Sequence, residues 1–168
     1  LFVRIEALPN FLTFSLDGQT IIAHGLVTRV LRHELARQGH LTAVCRAAAS
    51  VLETRAQALV GSPDRQAARD SPAQVASMSR NIAGSPGEAD QGLEKVLLRL
   101  RLLALYHLIE LGDSASQATA VGEPLTADLE RLLGPDHPYT LTSRTNLASA
   151  YQAADKPAEA IPLFEQAL

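Results

Sequence analysis

The sequence contains no tryptophan, a single cysteine and a single methionine, and only 4% of its 168 residues are aromatic. A disulfide framework within one chain is therefore excluded. Since 46% of the residues are hydrophobic, leucine and alanine must fill most of the core, and such a core favours helices. Cys45 lies beside Val44, Ala47 and Ala48 on an apolar helical face, so we expect a buried thiol rather than a nucleophile.

A strong excess of charge of either sign is also missing. The formal net charge is -3 and the pI is about 5.9, so the chain lacks the overall basic charge typical of nucleic-acid binding. Arg29, Arg32 and His33 could still form a local basic patch. The N-terminus has no basic segment followed by an apolar run, and the most apolar segment, 93–111, carries acidic and basic side chains. We expect no nucleic acid, no membrane and a cytoplasmic location.

Motifs that would carry chemistry are absent as well. No Gly-x-x-x-x-Gly-Lys-Ser/Thr loop occurs, so the chain alone is not expected to hydrolyse a nucleotide. His33 and His40 are seven residues apart with Gly39 between them, a spacing that suits a shared zinc poorly, and we expect no metal. Ser114 lacks the strand and flanking glycine of a nucleophile elbow and is expected to cap a helix. We predict no catalytic residues and no enzyme.

The first 38 residues change their hydrophobic period partway. Apolar and polar residues alternate up to Asp17-Gly18, a dipeptide that favours a two-residue hairpin turn between β-prone runs. The predicted hairpin spans about 11–23 and pairs Phe14 with Ile21 and Leu12 with Ala23. A stripe with helical spacing follows and ends near residue 39. We therefore predict a hairpin that leads into a helix.

The middle of the chain, 39–92, is predicted as a helical connector and linker. A helix of about 41–60 ends at Gly61, and the stretch 62–92 is rich in Ser, Pro, Gly, Ala and Asp. Only a short helix beginning at Ser71-Pro72 is expected within that stretch. From Leu93 to Leu111 the leucines occupy more than one helical face, so this helix should be buried between neighbours on both sides.

The next helix, about 114–133, contains Gly122 and Pro124. Proline removes an amide donor, so we expect the helix to bend or split there. A shift of 42 residues aligns Leu105 with Leu147 and a few further positions. We interpret about 95–133 as a degenerate first repeat.

The last forty or so residues have the sequence pattern of one helical-hairpin repeat. Their landmarks are Gly134-Pro135-Asp136-His137-Pro138, Asn146-Leu147-Ala148 and Glu159-Ala160-Ile161. This pattern closely resembles a tetratricopeptide repeat of the kinesin-light-chain type. The resemblance implies an α-solenoid over 93–168, incomplete at its C-terminus, that acts as a scaffold for a protein or peptide ligand. It also implies that Asn146 holds an extended peptide backbone, and we expect His137 to help fix the turn between repeats.

The run from Phe14 to Val27, which contains His24, resembles the end of the winged-helix subdomain in bacterial NB-ARC ATPases of the STAND type. That resemblance implies that 1–38 is a winged-helix remnant and that an upstream NB-ARC domain of the same full-length chain binds ADP or ATP. His24 would then contact the β-phosphate of ADP, although a helix-capping role for His24 is the alternative. No cofactor is expected within these 168 residues.

We therefore expect a mainly α fold: a solenoid of tetratricopeptide-type helical hairpins preceded by a short β-hairpin. The leading hypothesis is a regulatory coupling and protein-interaction region of a signal-transducing ATPase, within a longer protein. One alternative is a stand-alone tetratricopeptide adaptor, and another is the sensor part of a winged-helix transcription regulator. An upstream P-loop would select the first hypothesis, and an upstream basic helix-turn-helix would favour the regulator.

Overall fold

The computed structural model describes residues 12–14, 21–23, 25–83, 91–112 and 114–167. The chain divides into two compact units, Leu1–Val44 and Cys45–Leu168. The described elements, in chain order, are β1 (Leu12–Phe14), β2 (Ile21–Ala23), α1 (Gly25–Arg37), α2 (Leu41–Ala58), α3 (Arg65–Ala83), α4 (Gln91–Leu111), α5 (Ala115–Leu133), α6 (Pro138–Ala153) and α7 (Pro157–Glu165). The predicted helical fold is confirmed, whereas the predicted domain boundaries at 38/39 and 92/93 stay predictions.

Within the first unit, β1 and β2 pair antiparallel, with Phe14 opposite Ile21 and Leu12 opposite Ala23. The assignment of this segment to a winged helix stays a prediction, and the predicted turn at Asp17-Gly18 lies outside the described residues. Helix α1 ends before Gly39, whose positive φ of 71° suits glycine.

Helix α2 ends close to the predicted stop at Gly61, which has a φ of 71°. Its inner side contributes Ala49 and Ala56 to a buried cluster, both less than 5% exposed. Cys45 lies one turn before Ala49 at the margin of this cluster and is only half-buried. The expected burial of the thiol is therefore only partial, and its lack of a nucleophilic role stays a prediction.

The linker predicted for 62–92 was largely wrong, since α3 is a helix of 19 residues that runs through Pro72. Asp64 begins it: the Asp64 side chain accepts a hydrogen bond from the Ala67 amide at 3.0 Å. Helix α3 packs along α4, with Ser71 and Val75 buried in the contact. Burial against α4 outweighs the amide donor that Pro72 cannot supply.

Helix α4 is enclosed on two sides, as predicted. Leu98 and Leu105 pack into one cluster with residues of α5 and α6, while Leu100 and Ala104 pack into the other with α2 and α3. All four side chains are at most 4% exposed. One helix therefore contributes to both buried clusters of the Cys45–Leu168 unit.

The predicted split of α5 does not occur, since the helix is continuous through Gly122 and Pro124, while a bend stays a prediction. A Cβ atom on Gly122 would lie 2.9 Å from Cδ1 of Leu147 on α6, so glycine permits a close approach of the two helices. Leu125 and Leu129 beyond the proline are completely buried. This packing on both sides of Pro124 keeps the helix in one piece.

Two polar contacts of side chains close the turn between α5 and α6. Thr140 Oγ1 donates to the Gly134 carbonyl at 2.8 Å, and the φ of Gly134 is 95°. His137 occupies the N-cap of α6, where its Nδ1 accepts from the Tyr139 amide at 3.1 Å. The predicted role of His137 in this turn is confirmed. Ser114 occupies the N-cap position of α5 as predicted, but its hydroxyl makes no capping hydrogen bond.

Candidate protein-interaction surface

The helices of the Cys45–Leu168 unit pack as a consecutive series from α3 to α7. Helix α4 also packs directly on α6, skipping α5, whereas no comparable packing joins α3 to α5 or α5 to α7 within the described part of the chain. Helices α4 and α6 therefore lie side by side on one face of the series, which we call its inner side.

Asn146 lies on α6 at the edge of its packed face. Leu147, Ala148 and Ala150 are buried, whereas Asn146 is half-exposed. Its amide takes part in no hydrogen bond with any residue that the structure describes. A side-chain amide has two donor hydrogens and an acceptor oxygen, so Asn146 keeps its full hydrogen-bonding capacity for a ligand.

The hydroxyl groups on the exposed face of α6 are already engaged. Thr142 donates to the Pro138 carbonyl at 2.8 Å, and Ser149 donates to the Thr145 carbonyl at 3.0 Å. Such bonds from a side chain to its own helix satisfy the hydroxyl donor locally. Asn146 thus differs from its polar neighbours in having no bond of this kind.

Two further residues, Arg99 on α4 and Tyr139 on α6, extend this surface toward α2. Arg99 on α4 forms a bidentate pair with Glu53 on α2, through Nε to Oε1 at 2.5 Å and Nη2 to Oε2 at 3.1 Å. The hydrogen-bonded Glu53 raises the pKa of Arg99, burial opposes this, and the Tyr139 phenol adds a smaller contribution of the same sign. Tyr139 lies two turns before Asn146 on the same side of α6. We call the face that carries Arg99, Tyr139 and Asn146 the inner surface.

Arg144 is a structural residue that the sequence reasoning missed. Its guanidinium donates to Glu130 from Nε at 2.9 Å and from Nη2 at 2.8 Å, and its Nη1 donates to the carbonyls of Pro135 at 3.2 Å and Gln166 at 2.9 Å. The residue is 7% exposed. Its spacing from Leu147 places it on the packed stripe of α6, and that position was the signal available in the sequence.

Tyr151 on α6 is half-buried and contacts a neighbouring helix through its hydroxyl. The hydroxyl donates to Oε1 of Glu123 on α5 at 2.7 Å. Lys156 Nζ lies 5.9 Å from the centre of the Tyr151 ring. These contacts tie the end of α6 to α5 and are consistent with a structural role.

Of the two predicted site residues, only Asn146 can be located, because His24 lies outside the described residues. No group of three or more potential metal ligands comes together in the described ranges. Among the helices that can be assessed, none combines the length and apolarity needed to cross a membrane.

Residues 125–168 match the family model of the tetratricopeptide repeat. The match covers the second half of α5 together with α6 and α7. Searches of curated proteins and of solved structures found no match to the chain. A tetratricopeptide repeat at this end is confirmed, while the kinesin-light-chain type and the repeat character of 93–124 stay predictions.

Proposed function

We propose that the helical unit is a protein-interaction scaffold without catalytic residues, and that its inner surface binds an extended peptide of a partner protein. The observation that carries the proposal is the free amide of Asn146 on the inner surface, which α4 and α6 share. The tetratricopeptide match supports a role in protein binding. Tyr139 supplies an aromatic surface that is 38% exposed on the same side.

An extended peptide suits such an amide because a peptide unit offers one N–H and one C=O. The Asn146 amide can accept from the first and donate to the second. Each such bond contributes roughly 1 kcal/mol, so loss of both should weaken binding by about tenfold or more.

The test selects peptides from a random library displayed on phage, using the full 168-residue chain as bait. Selected peptides should bind Asn146→Ala at least about tenfold more weakly than the wild type. Gln152→Ala is the matched control, since it removes an exposed amide six residues later on a different side of α6. Failure to enrich any peptide, or equal affinity for Asn146→Ala, would refute the proposal.

We propose, as the wider context, that this scaffold is the regulatory coupling region of an NB-ARC ATPase, with adaptor and transcription-regulator roles as the alternatives. Support comes from the resemblance around His24 and from a downstream tetratricopeptide repeat. In this setting the repeats sense a partner, and His24 stabilises the ADP-bound closed state.

Calorimetry on the full-length protein tests the nucleotide role. Loss of a charge-assisted hydrogen bond in His24→Ala should weaken ADP binding by about 1.5 to 3 kcal/mol. His33→Ala provides the control, because this nearby exposed histidine has no assigned role. Equal ADP affinity in the wild type and His24→Ala would leave His24 as a helix-capping residue, and a full-length protein without ADP affinity would favour the adaptor.

A further inference from the structure

A pocket of about 220 Å³ lies between the turn joining α2 to α3 and the last turns of α4. It is separate from the inner surface and shares no residue with it. The polar residues that line it are Ser62, Arg65, Tyr106, His107 and Glu110. We call this cavity the turn pocket, and its volume corresponds to several water molecules, enough for a small metabolite.

His107 in the lining of the turn pocket has unused hydrogen-bonding capacity. The residue is 2% exposed, and neither Nδ1 nor Nε2 makes a hydrogen bond of full geometric quality, although the nearby backbone of Ala56 interacts with the ring. Buried polar groups in proteins are almost always paired, and an unpaired one requires an explanation such as a missing ligand or water. A molecule in the turn pocket could provide that partner after a small displacement of the ring.

Two opposite charges line the turn pocket without neutralising each other. Arg65 donates from Nη2 to the Leu111 carbonyl at 2.8 Å, which holds the guanidinium at the end of α4. No ion pair between Arg65 and Glu110 exists in the described structure, and Glu110 makes no other hydrogen bond there. Arg65 retains further N–H donors, and Glu110 retains both carboxylate oxygens.

We propose that the turn pocket binds a small zwitterion, namely a free α-amino acid. Its carboxylate pairs with Arg65 and its ammonium group with Glu110. A simple anion would be repelled by Glu110 and a simple cation by Arg65, whereas a zwitterion satisfies both charges at once. Tyr106 and His107 then face the ligand's side chain, and Leu59 and Ala68 supply the apolar part of the lining.

Binding would also stabilise the protein, because the lining residues come from the α2–α3 turn, α3 and α4. A ligand that binds only the folded state raises the unfolding temperature, and the rise grows with the logarithm of the ligand concentration above Kd. A metabolite in the turn pocket would therefore change the stability of the scaffold, independently of any peptide bound to the inner surface.

The test uses thermal unfolding and calorimetry of the full chain with each standard amino acid at millimolar concentration. At least one should raise the unfolding temperature, while its deaminated acid and its decarboxylated amine should not. Arg65→Gln and Glu110→Gln should each weaken binding by about tenfold or more. Arg80→Gln, an exposed arginine on α3 outside the turn pocket, should bind like the wild type.

Three outcomes would overturn the proposal. The first is that no amino acid binds. The second is that the deaminated acid or the amine binds as well as the zwitterion, which would identify a site for a simple ion. The third is that binding survives Glu110→Gln, a change of an exposed side chain that should leave the fold intact, as circular dichroism can verify. The peptide selection on Asn146 stays independent of all three.

Discussion

Nη1 of Arg144 on α6 donates a hydrogen bond of 2.9 Å to the carbonyl of Gln166, directly beyond α7. Helix α7 has only nine residues, too few to be stable alone in water. Arg144 also bonds to Glu130 at the end of α5. A single guanidinium therefore connects three successive helices at one end of the repeat.

Arg144→Met should destabilise the protein by roughly 1.5 to 3 kcal/mol, because the charge-assisted hydrogen bonds of the buried guanidinium to Glu130 and to two carbonyls are lost. Urea unfolding monitored by circular dichroism measures the change. Arg131→Met is the control, since Arg131 forms an exposed pair with Asp128 at 3.4 Å and should cost at most about 1 kcal/mol. Equal effects of the two substitutions would contradict the connecting role of Arg144.

Gly122→Ala should destabilise the protein by about 1 to 2 kcal/mol, although alanine normally favours a helix. The new Cβ would meet Leu147 Cδ1 at 2.9 Å. The measurement is a double-mutant cycle with Leu147→Val, which removes that methyl group. In the valine background, Gly122→Ala should be far less harmful. An unchanged penalty there would rule out this contact as the cause.

Stability should fall in mild acid because of His107. Burial lowers the pKa of this histidine, opposed more weakly by the backbone of Ala56 and the charge of Glu110. Below about pH 6.5 the unfolded chain takes up a proton that the folded protein resists, so the free energy of unfolding decreases as pH falls. Urea unfolding at about pH 7.5 and pH 5 should show a larger decrease for the wild type than for His107→Gln. Equal decreases would exclude His107 as the source.

Tyr151 should ionise at unusually high pH. The hydrogen bond to Glu123, assisted by burial and by the nearby carboxylates, raises the pKa of Tyr151 to about 12. Ultraviolet absorbance of tyrosinate should show a transition near that value, which Tyr151→Phe removes and Glu123→Gln moves lower. Because the unfolded chain loses this proton near pH 10, folding stability should also fall above about pH 10. A high transition that persists in Tyr151→Phe would assign it elsewhere.

The helices could be predicted where apolar spacing and turn residues agreed. The ends of α1 and α2 followed from Gly39 and Gly61, and the burial of α4 followed from its leucines. The prolines misled the sequence reasoning, because a helix was expected to begin at Pro72 and another to bend or split at Pro124. The contacts of α3 with α4, and of α5 with α4 and α6, depend on residues distant in sequence. Local rules do not contain that packing energy.

The candidate site was only partly accessible to sequence reasoning. Asn146 followed from a motif, and His137 from its place in a turn. The pairing of Arg99 with Glu53 joins residues 46 positions apart, and no local pattern predicts such a partner. The turn pocket likewise combines the start of α3 with the end of α4. Only the fold reveals that His107 is 2% exposed and lies in the lining of this pocket.

Leu98 and Leu100 are two positions apart on α4, yet each belongs to a different buried cluster. Helix α4 cannot leave one cluster without opening the other, so its release exposes nearly the whole apolar interior of the unit at once. Its backbone amides can then exchange with solvent only through global unfolding, whereas the short α7 can open alone. In kinetic terms, α4 should be the last helix of the array to exchange its amide hydrogens for deuterium.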